Sequence, residues 1–140
     1  MGKWLKITIM MLLFITLTAC SEEEEVKPED RLSQYVDYWN AQNFSDMYEM
    51  VADSSKEIYP SEEFIDRYQK IYGDIEVSDL SITYNVPELE EDVIPSSFPI
   101  QVSMNTMAGE VNFESEMSLI EQEVNEEETN WYIEWDPSFI

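Results

Sequence analysis

Histidine is absent from the 140 residues, cysteine occurs once, glycine three times, and no lysine or arginine follows Lys70. Each shortage removes a class of function. Without histidine there is no imidazole base for a catalytic triad and no His-ligated zinc site. A single cysteine, Cys20, cannot close an internal disulfide. With so few glycines there is no glycine-rich loop to cradle a phosphate. A net charge of −24 at pH 7 repels nucleic acid, whose binding needs Lys and Arg to displace counterions. Nucleic acid is therefore not expected as a partner.

What is present is unevenly placed. All 31 acidic residues follow Cys20, accompanied by only five basic ones, Lys27, Arg31, Lys56, Arg67 and Lys70. The first twenty residues have another character: Lys3 and Lys6, then the apolar run "ITIMMLLFITL", then "LTAC". A basic start, a short apolar stretch and small residues before a cut describe a secretory signal. The run is too short for a spanning helix, which needs about 20 apolar residues. Leu17-Thr18-Ala19-Cys20 resembles the lipobox of bacterial lipoproteins. That resemblance implies cleavage between Ala19 and Cys20 and acyl chains, such as palmitate, on the new N-terminal Cys20. It would also account for an otherwise unpaired exported thiol. Two acyl chains suffice for stable anchoring. The expected place is the extracytoplasmic face of the cell membrane. The lipid on Cys20 must supply the membrane contact, because anionic headgroups repel so acidic a surface.

Residues 21–30, "SEEEEVKPED", read as an acidic tether kept extended by like charges. The remainder, residues 31–140, carries enough Trp, Tyr, Phe and aliphatic residues to fold as one domain. Leu32, Tyr35, Val36 and Trp39 fall at i, i+3, i+4, i+7, a helical stripe. Ser45 is a candidate cap for a short second helix with Met47, Tyr48 and Val51 inward. "YPSEEFIDRYQKIYGDI" gives the clearest helix, with Ser61 as its cap, Gly73 as its stop, and Phe64, Ile65, Tyr68, Ile71 and Tyr72 as its apolar face. The period then falls to two. Leu80, Ile82, Tyr84 and Val86 alternate, and so do Val111, Phe113, Met117 and Leu119 against Asn112, Glu114 and Glu116. A hairpin is expected around Gly109, and Trp131, Ile133 and Trp135 form one face of a last strand. Helices first and an antiparallel meander after them predict an α+β fold with helices packed on one sheet.

Chemistry is sparse. "ELEED" and "NEEET" lack the D-x-D-x-D-G spacing of a calcium loop and read as solvated turns. Tyrosines beside acids could transfer protons, but on helical and strand stripes they serve the core. No metal site and no cofactor are expected.

Three stretches, "YVDYWNAQNFSDMYEMV", "EEFIDRYQKIY" and above all "WYIEWDPSFI", resemble the nuclear transport factor 2-like N-terminal domain of class B penicillin-binding proteins of the methicillin-resistance type. The likeness spans residues 31–140. It implies a cone in which N-terminal helices pack on a curved antiparallel sheet. It implies a non-catalytic spacer or scaffold, associated with peptidoglycan synthesis or the β-lactam response, with a cell-wall enzyme as candidate partner. Two of the family's transpeptidase motifs, S-x-x-K and K-T-G, are missing. Glu24, Asp53 and Arg67 stand where S-x-x-K would put serine before Lys27, Lys56 and Lys70, and no K-T-G occurs. "DPSFI" is accordingly expected as the stub of a junction, in a chain that is stand-alone, truncated or part of a longer one. The alternative function is a small-ligand-binding lipoprotein using the cone's cavity. Trp39, Tyr68, Tyr72, Trp131 and Trp135 are the candidate core or cavity residues. A cavity filled by the side chains of Trp39, Tyr68 and Trp131 favours the scaffold, and an open lined cavity favours the binder.

Overall fold

The computed structural model describes residues 26–139. The signal segment, its cleavage site, Cys20 and the first half of the tether, residues 21–25, lie outside the described residues. Helix α1, Pro28–Asn40, starts inside the stretch read as tether. Pro28 holds its first position, where a missing N–H costs nothing, and Glu29 and Asp30 complement the positive helix end. Leu32, Tyr35, Val36 and Trp39 are all buried, as their spacing predicts.

Helix α2, Phe44–Glu49, is capped by Asn43 and not by Ser45: the Asn43 side chain accepts from the Asp46 N–H. Starting the helix at Phe44 places that ring in the core. A short helix α3, Asp53–Ile58, was not foreseen, because "DSSKEI" has no apolar stripe and buries only Ser55. Helix α4, Ser61–Asp74, takes Ser61 as its first residue after Pro60, with no side-chain cap. Its face buries Phe64, Tyr68 and Tyr72, with Ile65 and Ile71 partly covered.

Gly73 is not the stop. The helix passes through it, and Glu76 takes the left-handed turn at φ 53°. Val77 N–H bonds back to Tyr72 C=O at 2.9 Å and Glu76 N–H to Gly73 C=O at 3.2 Å, which is a Schellman closure. Helix α1 ends identically: Gln42 has φ 54°, and Asn43 and Gln42 bond back to Tyr38 and Trp39. Left-handed backbone costs a residue with a Cβ about 1–2 kcal/mol, and Glu76 is exposed. Glu76→Gly is therefore expected to stabilise the protein by up to about 1 kcal/mol. The check is a higher urea midpoint at unchanged slope; a lower midpoint would contradict this account of the helix end.

Strands β1 (Ser78–Tyr84), β2 (Ser97–Thr106), β3 (Gly109–Asn125) and β4 (Glu128–Glu134) form one antiparallel sheet in sequence order. The β2–β3 hairpin turns at Gly109, whose φ of 118° favours glycine. Asn125 closes the β3–β4 turn by accepting from Glu127 N–H. The inner face buries Ile82, Phe98, Ile100, Val102, Met104, Met117, Leu119 and Ile133 under the helices. The outer face exposes Gln101, Asn112, Glu114 and Glu116. Val111 shares the parity of the inner face but is exposed, and Phe113 is half-buried, because the helical cover stops short of this end of β3. This arrangement is the expected α+β cone.

Candidate functional site

Four of the five candidate residues meet in one aromatic block. Trp39 comes from α1, Tyr68 and Tyr72 lie one turn apart on α4, and Trp135 follows β4 on the inward parity of Ile133. The i, i+4 stripes of both helices point at the same end of the sheet. Trp39 Nε1 donates to Tyr72 Oη at 2.7 Å, and Trp135 Nε1 donates to Tyr68 Oη at 3.1 Å. The Tyr68 ring stacks on Phe44 at 4.9 Å, with Trp39 edge-on at 6.0 Å. Trp135 also packs against Phe64 at 4.8 Å and Tyr59 at 4.9 Å. Ser55 holds Trp135 in place by bonding to both its N–H and its C=O. The space between helices and sheet is filled at this end by interlocked rings whose polar atoms satisfy one another.

Burial sets the chemistry of these phenols. It pushes the Tyr35 hydroxyl well above its ordinary value, and proximity to Tyr68 adds to the effect. Burial likewise raises Tyr68 and Tyr72, against a partial lowering by the indole donors Trp135 and Trp39. All three are neutral hydrogen-bonding groups near pH 7 and cannot act as bases there. Tyr35 Oη is the buried side-chain oxygen without a hydrogen-bond partner among the described residues. Asp136 is exposed, and the Ser138 N–H at 2.7 Å lowers its carboxyl. Among the described residues no three carboxylates gather closely enough to hold a metal ion.

Trp131 stands apart from the block. It is half-buried and lines a surface pocket of about 290 Å³ with Val26, Pro28, Val93, Ile94 and Pro95. Its carbonyl accepts from Arg31 Nε at 3.0 Å, which fixes α1 against β4. Sequence reasoning missed this pocket. Its one signal was the exposed pair Val93 and Ile94 inside an acidic loop.

Among the described residues the cone thus has a filled aromatic end and an acidic outer sheet face. The model of the NTF2-like N-terminal transpeptidase domain family matches residues 27–140. The protein belongs to this family. It is also similar to penicillin-binding protein 3 of Bacillus subtilis (strain 168), at 35% identity over 128 residues. That alignment covers 90% of this chain and 19% of the relative. The chain thus spans about a fifth of the length of that relative.

Proposed function

We propose that this protein is a non-catalytic scaffold domain, anchored by lipid on Cys20 at the extracytoplasmic face of the membrane and serving peptidoglycan synthesis or the β-lactam response. The observation that carries the reading is the filled aromatic block of Trp39, Tyr68, Tyr72 and Trp135. A ligand-binding cone would keep that space open, so the small-ligand alternative has less support. The spacer reading is supported by the likeness to the N-terminal region of a penicillin-binding protein and by a core that, among the described residues, buries no charged side chain. A cell-wall enzyme is the candidate partner, and no cofactor is required.

Both halves of the proposal can be tested on one preparation. Cells expressing the full chain are labelled with a fatty acid, and the isolated protein is then treated with a fluorescent penicillin. The wild-type chain should take up the fatty acid, Cys20→Ser should not, and neither should react with the penicillin. Equal acylation of both chains would remove the anchor. Stoichiometric penicillin labelling would remove the non-catalytic reading.

A further inference from the structure

Each strand of the sheet has two sides, and register fixes which residues bond on which. Leu119 N–H donates to Ser96 C=O at 2.7 Å. In the β2–β3 ladder the odd-numbered residues of β3 from Gly109 to Leu119 therefore turn their N–H and C=O groups towards β2. The even-numbered residues turn the other way. From Ser118 onward β4 takes them up, with Ser118, Ile120 and Gln122 opposite Glu134, Tyr132 and Asn130. Glu110, Asn112, Glu114 and Glu116 have no strand beside them and no backbone partner among the described residues.

The nominal edges of the sheet are better protected. On β1, the Asn40 side chain accepts from Ile82 N–H at 2.7 Å and donates to its C=O at 3.1 Å. On β4, Ile133 bonds to Met50 and Ala52, Trp131 C=O takes Arg31, and Trp135 takes Ser55. Among the described residues the longest bare edge is thus the first half of β3, an inner strand by sheet order. A shorter one, at Glu121 and Glu123 on the β2 side, leads into the β3–β4 turn.

We propose that Gly109–Met117 of β3 is a docking edge for an extended segment of a partner protein in which Lys or Arg alternates with apolar residues. An added strand would complete the ladder with the backbone groups of Glu110, Asn112, Glu114 and Glu116. Its outward side chains would lie beside those glutamates, where opposite charge stabilises a cross-strand neighbour. Its inward side chains would cover Val111, which is 40% exposed, and Phe113, the part of the seam that β4 does not reach. The choice of partner follows from charge. No basic residue after Lys70 can neutralise this edge from within. A second copy would set glutamate against glutamate, and charged edges of this kind oppose self-pairing. The inference stands on strand register and does not depend on the spacer reading.

Amide exchange of the detergent-purified full chain, read by NMR, tests it with a short Lys–Val alternating peptide and a Glu–Val counterpart as probes. In the free chain the amides of Asn112, Glu114 and Glu116 should exchange at least about 10-fold faster than those of Val111, Phe113 and Ser115, which are held by β2. The Lys–Val peptide should slow the even set by about 10-fold and leave the odd set unchanged. The Glu–Val peptide should do nothing. Asn112→Pro removes an N–H from the bare side only, so it should abolish the protection while the odd amides stay slow. Should that variant unfold, Glu114→Lys with Glu116→Lys keeps the backbone intact and should still cancel the response to the Lys–Val peptide. Even-set amides already slow in the free chain would overturn the proposal, including protection that grows with protein concentration and so marks self-pairing. Equal effects of the two peptides, or binding that slows neither set, would overturn it too.

Discussion

Removal of residues 130–140 is expected to unfold the protein outright. The deletion takes away most of β4 and with it the ladder from Gln122 to Ser118. It also removes Ile133, fully buried and tied to Met50 and Ala52 by bonds of 2.9 and 2.8 Å, and Trp135, the anchor of α3 through Ser55. Loss of one buried Trp alone costs about 3–5 kcal/mol, against a total stability of about 5–15 kcal/mol. Trp135→Ala by itself should approach that figure, since it also strips Tyr68 of its indole donor. A chain ending after Pro137 should stay folded, because Trp135 and its bonds to Ser55 are kept. Far-ultraviolet circular dichroism of both truncations decides the matter. A folded chain lacking residues 130–140 would mean that three strands and the helices make a core of their own. Unfolding by the shorter truncation would mean that the final turn carries stability as well.

Alkaline unfolding is the second large effect expected. An unfolded tyrosine ionises near pH 10, whereas burial holds the Tyr35 and Tyr68 phenols protonated to higher pH in the folded chain. Above pH 10 the folded state thus binds more protons than the unfolded one, and stability falls as pH rises. Their contribution is intact below the unfolded value and is lost progressively from pH 10 up to the folded values. Each such phenol removes up to about 1.4 kcal/mol per pH unit in this window. The two together should bring the melting transition down steeply between about pH 10 and 12. Replacing Tyr35 by Phe should remove one share of that slope. A melting temperature that is flat to pH 12 would contradict the burial of these hydroxyls.

Legibility from sequence followed the range of the interactions. The α1 stripe of Leu32, Tyr35, Val36 and Trp39 and the α4 stripe of Phe64, Tyr68 and Tyr72 were readable because periodicity alone dictates which side of a helix must leave water. The alternation of Leu80, Ile82 and Tyr84 and that of Met117 and Leu119 were readable for the same reason. Helix ends were harder. With glycine so scarce, Gln42 and Glu76 occupy the left-handed positions at the ends of α1 and α4, and neither residue type signals a stop. Asn43 displaced Ser45 as cap because Phe44 was needed in the core.

By itself the sequence determined the α+β class, the inward faces of the long elements and the acidic outer face of the sheet, each set by composition or by short-range period, while the family was legible only in the likeness of particular stretches, above all "WYIEWDPSFI". Tertiary structure alone decided the rest. Helix α3 exists because Ser55 bonds to Trp135, 80 residues away. Trp131 stands apart from the aromatic block and lines a surface pocket with Val93, Ile94 and Pro95. The open edge of β3 arises where β4 ends at Glu134, so that on the side away from β2 the backbone from Ser118 onward is paired and the backbone before it is bare. Such facts depend on which distant segments meet, and a linear pattern of apolar and polar residues encodes faces but not neighbours.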